Sequence, residues 1–430
     1  MHILIIGAGP GGYETAVEAL RRGHQVTLVT DSKLGGTCLN EGCIPTKSLI
    51  YNCCEKSVPL SEAISVKRQV LDQLGAGIET LLRKAEVIYG KASFVDTHTV
   101  KVGDRTVSAD RIIIATGSVS ASLPVPGAEL TLNSSQLLEV EDVPSRLIVI
   151  GGGVIGLEFA CIFNSLGSEV TVLEYCPCIL PRFDVDMAKR LKQQLVRSGI
   201  KVVTGATVKS VSRNDASSDG SFSVEYELKN QMESIAADCV MMAVGRRPAT
   251  DSLNLQDVGI EFDRRSGIKV DSRMRTNVPD IYAVGDVTGG IMLAHMASAQ
   301  GLRALNDIDG TPDSIDFNCV PAVVFTSVEL ATVGMSEEDC KHSGIAYSVH
   351  KSTYRANGKA VASGQVEGCC KVIAGEDGRI LGCHILGAHA SDMIAEATAL
   401  ISLGVTLDRA RWIIHAHPTL SEVFQAAIRE

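Results

Sequence analysis

The chain has 430 residues, of which 45% are hydrophobic and 21% are charged, and its formal net charge is −10. This length is enough for two or three domains that each bury a core. The acidic balance argues against nucleic acid and anionic membranes as partners.

Signals for export or membrane insertion are not evident in the sequence. No apolar run approaches the roughly twenty residues that a membrane span requires, and the N-terminal MHILIIGAGPGG lacks the features of a signal peptide. The 13 cysteines are an odd number scattered over a long chain, which is not typical of a secreted disulfide framework. We therefore expect a cytoplasmic protein in which any disulfide is catalytic rather than structural.

The chain begins with a strand, a glycine loop, a helix and a second strand. His2 to Ile6 is a short apolar run, which leads into Gly7, Gly9 and Gly12 at the spacing Gly-x-Gly-x-x-Gly. The helical stretch YETAVEALRRG and the second apolar run HQVTLVT follow. Glycines at this spacing let the backbone approach a pyrophosphate, whose charge is favoured at a helix N-terminus. The segment therefore predicts a dinucleotide site.

Two cysteines, Cys38 and Cys43, follow in the segment GTCLNEGCIPTK. Structural zinc sites generally use cysteines about two to four residues apart and need a second pair, which is not evident here. The spacing alone leaves three alternatives open, namely metal ligands, a structural disulfide and a redox pair.

The strand and glycine-loop pattern then occurs a second time. The apolar run RLIVI (146–150) leads into Gly151, Gly153 and Gly156, and the helical stretch LEFACIFNSLG and the strand SEVTVLE (168–174) follow. Two copies of the same βαβ unit predict two bound dinucleotides. Farther along, the Ser- and Asp-rich stretch 212–221 predicts a hairpin-like loop.

The residue that ends the second strand of such a unit is expected to accept hydrogen bonds from an adenosine ribose. In the second copy this residue is Glu174, whose carboxylate would repel a 2′-phosphate, and no Arg follows until Arg182. The second site is therefore expected to prefer NAD to NADP. In the first copy the position is Thr30, with Asp31 beside it. Either side chain could contact the ribose, and Asp31 could equally be a solvated loop acid.

The segment around Cys38 and Cys43 resembles the redox-active disulfide signature of the flavin-dependent pyridine nucleotide-disulfide oxidoreductases. The resemblance extends over virtually the whole chain, through the segments IIIATGS (112–118), VMMAVGRRP (240–248), IYAVGDVTG (281–289), VFTSVELATVG (324–334), ILGCHILGAHASDMI (380–394) and HAHPTLSE (415–422).

The resemblance implies an α/β fold with two Rossmann-like dinucleotide-binding domains. By this reading an FAD-binding domain covers 1–117 and 249–316, and an NAD-binding domain at 118–248 is inserted in it. A C-terminal α+β dimerisation domain covers 317–430. We therefore expect a homodimer.

The resemblance also implies unequal roles for the two thiols. Cys38 is expected to exchange with the substrate, and Cys43 is expected to lie beside the flavin. His417 is expected to act as the acid-base group, held by Glu422 and supplied by the partner subunit. His415 is expected to have a structural or hydrogen-bonding role.

Lys47 is expected to stabilise the reduced flavin and to pair with Glu158 by the same resemblance. No metal site is expected, and the remaining cysteines receive no function. The expected FAD contacts are Gly7, Gly9, Gly12, Thr30, Asp31, Gly36, Thr37, Lys47, Thr116, Gly117, Asp286 and Ala294. The expected NAD contacts are Gly151, Gly153, Gly156, Glu174 and Gly245.

Within the family, Glu174 and the HAHPTLSE motif favour members that oxidise a protein-bound dihydrolipoyl group with NAD+. The expected partner is a lipoyl-bearing protein or an acyltransferase component of a 2-oxo acid dehydrogenase complex or a glycine-cleavage system. One alternative is an NADPH-dependent disulfide or mercuric-ion reductase, and another is a flavoprotein that only docks or senses redox state. Thr30, Gln300 and Val328 depart from the usual family pattern.

Overall fold

The computed structural model describes residues 1–213 and 221–430. Most of the hairpin-like loop predicted at 212–221 therefore lies outside the described residues. The described part of the chain forms two parallel sheets, one larger antiparallel sheet and several short antiparallel ribbons.

The N-terminal part of the chain alternates strands and helices. Its strands are β1 (His2–Ile6), β2 (Gln25–Thr30), β3 (Glu86–Tyr89), β4 (Ala92–Asp96), β5 (Thr99–Val102), β6 (Arg105–Ser108), β7 (Arg111–Ile114) and β8 (Ser118–Ser120). Its helices are α1 (Pro10–Arg21), α2 (Gly36–Asn40), α3 (Cys43–Leu49) and α4 (Leu60–Leu81), with a π-helical turn at Ile50–Glu55 and a 3₁₀ turn at Ala128–Leu130.

The middle part repeats this alternation. Its helices are α5 (Ser134–Leu137), α6 (Val154–Ser165) and α7 (Val185–Arg197). Its strands are β9 (Arg146–Ile150), β10 (Glu169–Glu174), β11 (Lys201–Thr204), β12 (Ala206–Arg213), β13 (Phe222–Leu228), β14 (Gln231–Ala237), β15 (Cys239–Met242) and β16 (Arg246–Pro248).

The remaining elements complete the first sheet and build the C-terminal part. The strands are β17 (Phe262–Asp263), β18 (Gly267–Ile268), β19 (Ile281–Ala283), β20 (Ala322–Val324), β21 (Leu330–Gly334), β22 (Tyr347–Thr353), β23 (Gly368–Gly375) and β24 (Ile380–Gly387). The helices are α8 (Ala294–Ile308), α9 (Glu337–His342), α10 (Gly358–Ser363), α11 (Ala390–Ser402), α12 (Leu407–Ala410) and α13 (Ser421–Arg429), with 3₁₀ turns at Gly285–Thr288 and Tyr354–Ala356.

The first parallel sheet has the strand order β19-β7-β1-β2-β3. Its central strand β1 is apolar from Ile3 to Ile6 because the sheet is covered on both faces. Ile3 and Ile5 pack in a core cluster with residues of α1, whereas Leu4 and Ile6 pack in a cluster with residues of the β4–β6 ribbon. The carboxyl end of β1 is thereby fixed where the first glycine loop begins.

The second parallel sheet has the order β11-β10-β9-β15 and carries the second glycine loop. The chain leaves the first sheet through β8 and returns through β16, and these two strands pair antiparallel with each other. Strand β19 then pairs with β7 of the first sheet. The second unit is therefore inserted in the first, which confirms the predicted fold class.

The C-terminal sheet is antiparallel, with the order β20-β21-β24-β23-β22. One buried cluster joins residues of this sheet to Ile394 on α11 and Phe424 on α13. The C-terminal part is thus an α+β unit, in agreement with the prediction. No helix among the described residues is long and apolar enough to cross a membrane.

Both helices that follow the glycine loops begin earlier than the sequence pattern predicted. Helix α1 begins at Pro10 rather than Tyr13, and α6 begins at Val154 rather than Leu157. The residues before them, Gly9 and Gly153, occupy the N-cap positions. The first helical turn therefore lies inside each motif, where its free N–H groups face the loop.

Candidate active site

One large cavity joins both glycine loops to the cysteine segment. Its volume is about 2760 Å³. The residues that line it include Gly9 and Gly153 of the two loops, both Cys38 and Cys43, and Glu174 at the end of β10. Groups that are far apart in sequence thus share one open space.

The two glycine loops have nearly the same backbone geometry. Gly7 and Gly151 have φ angles of +112° and +114°, in the region that disfavours side chains. A Cβ at either position would also lie 2.1 or 2.3 Å from the carbonyl oxygen of Ala115 or Ala243. A loop that turns this tightly brings its N–H groups to the helix end.

The middle glycine of each loop faces open space. A Cβ built on Gly9 or on Gly153 would meet no atom within 4 Å, although both residues line the cavity. A side chain would fit the protein here, so the space it would fill is left for a ligand. This arrangement suits a pyrophosphate held against the backbone at a helix N-terminus.

The strand ends beside the two loops differ. Glu174 accepts hydrogen bonds from the backbone N–H groups of Gly152 and Cys176, each at 2.6 Å. The hydroxyl of Thr30 instead donates to the carbonyl of Ser32 at 3.1 Å and accepts from its N–H at 3.3 Å. Asp31 is exposed and lines the cavity. The first site therefore has a free carboxylate one residue later than the second.

Cys38 lies in α2, and Cys43 is the first residue of α3. Both are free thiols in this structure, and Cys43 is the more exposed. A hydrogen bond from the Cys38 thiol to the sulfur of Cys43 raises the pKa of Cys38 and lowers the pKa of Cys43 to about 7. Burial opposes the shift at Cys43, and the charge of Lys47 adds to it. Cys43 is thus the better thiolate of the two.

Lys47 reaches across from α3 to Glu158 on α6. Its Nζ lies 2.9 and 2.8 Å from the two carboxylate oxygens. Burial raises the pKa of Glu158, while Lys47 and the backbone N–H of Phe325 oppose that shift. The ammonium group also lies 4.8 Å from the centre of the Phe325 ring. The predicted pair therefore forms, and it joins the two glycine-loop units beside the cysteines.

Asp286 lies in the 3₁₀ turn that follows β19 and faces the same cavity. Its Oδ2 accepts a hydrogen bond from Ser118 Oγ at 2.5 Å, and Arg246 Nε donates to Ser118 Oγ at 2.7 Å. Ser118 and Arg246 belong to the β8–β16 ribbon between the two units. Sequence reasoning did not select these two residues, although both stand in motifs it recognised.

Of the other positions expected to contact cofactors, all but Gly12 and Gly156 line the cavity. The positions that line it are Gly7, Gly36, Thr37, Thr116, Gly117, Gly245 and Ala294. Gly12 and Gly156 are buried behind the loops, where a Cβ would lie 1.8 or 2.1 Å from the carbonyl oxygen of Gly7 or Gly151. They permit close packing of helix on strand. Gln300, where the family usually has Glu, accepts a hydrogen bond from the N–H of Gly285 at 2.6 Å, as a Glu there could.

The C-terminal histidines lie elsewhere. His417 Nδ1 is 2.9 Å from Glu422 Oε1, and 78% of the His417 side chain is exposed. The N–H of Thr419 and the contact with His417 lower the pKa of Glu422. Within the described part of the chain, neither His417 nor His415 is among the residues that line the cavity. The side chain of His415 is 5% exposed, and its Nε2 lies 2.7 Å from Glu396 Oε1.

No cluster of three or more His, Cys, Asp or Glu side chains that could hold a metal ion occurs among the described residues. Among the remaining cysteines, Cys370 and Cys383 have 3.9 Å between their sulfur atoms. Both are fully buried on neighbouring strands. Neither is among the residues that line the cavity, and they are not assigned a role.

Two dinucleotide-type loops that share a cavity with a thiol pair define a nucleotide-linked dithiol oxidoreductase. Residues 1–301 match the family model for pyridine nucleotide-disulphide oxidoreductases, and residues 320–428 match the model for the dimerisation domain of that family. The chain therefore belongs to the pyridine nucleotide-disulphide oxidoreductase family.

Individual relatives narrow the comparison. The chain is 41% identical to the dihydrolipoyl dehydrogenase of Geobacillus stearothermophilus and 40% identical to that of Bacillus subtilis, and the alignments cover 99% of this chain and 94% and 95% of those proteins. Its fold is similar to the HOCl-induced flavoprotein disulfide reductase RclA from Escherichia coli. That likeness has a TM-score of 0.91 at 31% identity and covers 100% of this chain and 99% of RclA.

Proposed function

We propose that this protein oxidises protein-bound dihydrolipoyl groups to lipoyl groups with NAD+ as acceptor, using FAD and the Cys38–Cys43 pair. The observation that carries the proposal is the single cavity that both glycine loops share with the two cysteines. The full-length similarity to two dihydrolipoyl dehydrogenases supports this substrate and acceptor.

The side chains around the cavity suit FAD at the first loop. Gly9 leaves room for a pyrophosphate, Asp286 offers a carboxylate, and Arg246 adds a positive charge beside it. Since the Thr30 hydroxyl is already engaged with Ser32, Asp31 is the side chain that we assign to the adenosine ribose. When bound, FAD supplies the two-electron chemistry that links a dithiol to a pyridine nucleotide.

The second loop suits NAD(H). Glu174 is held by two backbone N–H groups and still has lone pairs for the ribose hydroxyls. A carboxylate here disfavours the 2′-phosphate of NADP. We propose contacts at Gly151, Gly153 and Gly245, which line the cavity, whereas Gly156 acts through the close packing of α6 behind the loop.

The thiol chemistry follows from the unequal cysteines. In the oxidised protein a substrate thiolate attacks Cys38, which releases Cys43 as a thiolate; the charge of the neighbouring Lys47, which lowers the pKa of Cys43, makes it the better leaving group. The second substrate thiol then displaces Cys38 and closes the lipoyl disulfide. Lys47, beside Cys43, stabilises negative charge at that end of the pair, and Glu158 holds Lys47 in place.

A base must take the protons of the substrate thiols, because only a thiolate attacks a disulfide. His417 fits this role, with Glu422 holding its Nδ1 and leaving Nε2 free. Because His417 does not line the cavity of its own chain in the described structure, we propose that it serves the Cys38 of a partner subunit. Trp412 and Ile414, which are 85% and 93% exposed nearby, would then be covered in a homodimer.

We propose the following limits for the domains. The FAD domain covers 1–117 and 249–316, the inserted NAD domain covers 118–248, and the dimerisation domain covers 317–430. The β8–β16 ribbon supports the limits at 118 and 248, because both crossings between the two parallel sheets occur there. The lipoyl group is expected to arrive on a separate protein of a 2-oxo acid dehydrogenase complex or a glycine-cleavage system.

The purified, FAD-containing protein should form NADH from NAD+ when dihydrolipoamide is added. NADP+ should be a poor acceptor. Turnover of glutathione disulfide or mercuric ion with NADPH, without dihydrolipoamide oxidation, would instead support the reductase alternative. The structural likeness to the disulfide reductase RclA is the observation that favours this alternative.

Mixed dimers test the origin of the base. His417→Gln should lower dihydrolipoamide oxidation about 10²-fold or more, as expected for loss of a general base. Refolding or co-expressing His417→Gln chains with Cys43→Ser chains should restore turnover, because one of the two sites then combines intact cysteines with an intact histidine. If the histidine acted within its own chain, every site in the mixed dimer would be defective and no turnover would return.

A further inference from the structure

Two lysines of the C-terminal sheet reach the N-terminus of helix α7. Lys351 on β22 and Lys371 on β23 lie directly opposite each other in the antiparallel register. Lys371 Nζ is 2.7 Å from Asp184 Oδ2, and Lys351 Nζ is 3.1 Å from Asp186 Oδ2. We call these four residues the lysine clamp. It joins the C-terminal sheet to the unit that carries the second glycine loop.

The inner half of the clamp is fully buried. The side chains of Lys371 and Asp184 are 1% and 0% exposed. Glu337 is a second partner of Lys371. Burial lowers the pKa of Lys371, but the hydrogen bonds to Asp184 and Glu337 outweigh it and raise that pKa. Separating a buried ion pair leaves an uncompensated buried charge, which is strongly unfavourable. The ion pair with Lys371 therefore holds Asp184 in position.

The outer half of the clamp explains how two like charges can face each other. Lysines directly opposite on paired strands repel, and each of these has its own carboxylate at the start of α7. Asp184 is also the N-cap of that helix, where its Oδ1 accepts from the N–H of Met187 at 3.1 Å. The clamp therefore fixes both the helix and the segment that enters it.

Residues of that segment, 175–184, line the cavity beside the second glycine loop, among them Tyr175, Leu180 and Asp184. We call this segment the 175–184 wall. Its N-terminal end is tied to Glu174 through the N–H of Cys176. Its centre is tied to the glycine loop by the hydrogen bond from Leu180 N–H to the Gly152 carbonyl, at 3.0 Å. Its C-terminal end is Asp184. The wall is thus held at three points, and the clamp supplies the one that comes from another sheet.

We infer that Lys371 is a positioning residue for the second nucleotide, since it holds the 175–184 wall and through it the ribose carboxylate Glu174. This inference rests on the proposal that NAD(H) binds there. Loss of Lys371 frees one end of the wall, so nucleotide affinity falls. The ion pairs of Lys371 go to Asp184 and Glu337 and not to the cysteine segment, so the Cys38–Cys43 pair is expected to keep its geometry.

The test separates the two half-reactions of the FAD-containing dimer. In Lys371→Met, the dissociation constant of NADH, from an anaerobic titration, is expected to rise about tenfold. The rate of flavin reduction by dihydrolipoamide, in which the second nucleotide has no part, is expected to stay unchanged. Asp184→Asn should weaken NADH binding too, and the double variant should be less impaired than the sum of the two, because the residues act on one contact.

Lys67 offers a matched control. It is also 1% exposed, but it bonds to the carbonyl of Leu138 and to Glu139, neither of which belongs to the 175–184 wall. Lys67→Met should lower thermal stability without a selective loss of NADH affinity. Unchanged NADH affinity in Lys371→Met, or equal losses in both half-reactions, would reduce Lys371 to a stabilising residue.

A further variant provides a test if Lys371→Met does not fold. Lys351→Met removes the outer, half-exposed lysine and is expected to weaken NADH binding about twofold to threefold, as for a partly exposed ion pair. Unchanged affinity in that folded variant would overturn the inference. Failure of the unsubstituted protein to bind NADH would refute the proposed NAD site itself, which is a separate result.

Discussion

The two glycine loops of this protein are close copies in backbone and different in the side chains around them. Their first glycines differ by two degrees in φ, at +112° and +114°, and the middle glycine of each faces open space. The strand ends differ, with Glu174 held by two N–H groups and Thr30 engaged with its own turn. Backbone constraints therefore preserve the loop, whereas the ligand each loop binds depends on residues outside it.

A second difference separates the two regions. The first unit carries the cysteine pair, while the second contributes Glu158, through its bond to Lys47. The second unit is instead anchored to the C-terminal sheet by the lysine clamp. The first unit is thus adapted to thiol chemistry, and the second is adapted to bind and release a nucleotide. The substitutions that follow should affect the two regions separately.

The largest expected effect comes from the cysteine pair. Cys43→Ser should reduce dihydrolipoamide oxidation by about 10³-fold or more, because no second thiol remains to be released. Flavin content and NADH binding should persist. Cys54→Ser is a suitable control, since Cys54 is a half-buried thiol that contacts Ser165 rather than the cavity. Turnover that survives in Cys43→Ser would refute the proposed thiol chemistry.

Glu174→Gln should sharpen the contrast between the strand ends. An amide accepts hydrogen bonds less strongly than a carboxylate, so the dissociation constant of NADH should rise about tenfold. Discrimination against NADP+ should weaken as well, because the repelling charge is gone. Steady-state kinetics with both acceptors would measure the change. If NADH affinity stayed constant, Glu174 would not be a ribose ligand.

The pH dependence of Cys43 tests the contribution of Lys47. A pKa lowered to about 7 means that the thiolate is present above pH 7 and is protonated as the pH falls below it. In Lys47→Met the pKa should rise, and alkylation of Cys43 at neutral pH should slow by up to about tenfold for one pKa unit. The measurement is the alkylation rate of the reduced protein against pH, with the labelled cysteine identified by mass spectrometry. An unshifted midpoint would show that the Cys38 hydrogen bond alone sets this pKa.

The smallest effect is expected at the first strand end. Asp31→Asn should raise the dissociation constant of FAD by about twofold to fivefold, because the exposed carboxylate makes a contact that solvent weakens. Thr30→Val is the paired comparison, and it should change FAD affinity less, since its hydroxyl already bonds to Ser32. A larger loss in Thr30→Val than in Asp31→Asn would reverse the proposed assignment.

Most of the fold could be predicted from local signals. Apolar runs followed by Gly-x-Gly-x-x-Gly predicted both parallel sheets, because a parallel strand buried on both faces must be apolar. The starts of α1 and α6 were predicted three residues too late, since their first turns, 10–12 and 154–156, lie inside the glycine motifs, which predict a loop rather than a helix.

Part of the site was also predictable. The pair of Lys47 and Glu158, separated by 111 residues, was expected from the resemblance and forms in the structure. Arg246 and Ser118 were not selected, because their importance depends on the position of Asp286 across a ribbon that brings distant segments together. No spacing in the sequence expresses such a contact.

By itself, the sequence determined the repeated βαβ units, the thiol pair and the acid at the second strand end, since each depends on residues that are neighbours along the chain. Only the tertiary structure decided that these groups share one cavity, that His417 does not line it in its own chain within the described residues, and that Lys371 reaches Asp184. These outcomes depend on the packing of three sheets against one another. Packing is a property of surfaces built from many distant residues, so short motifs do not encode it.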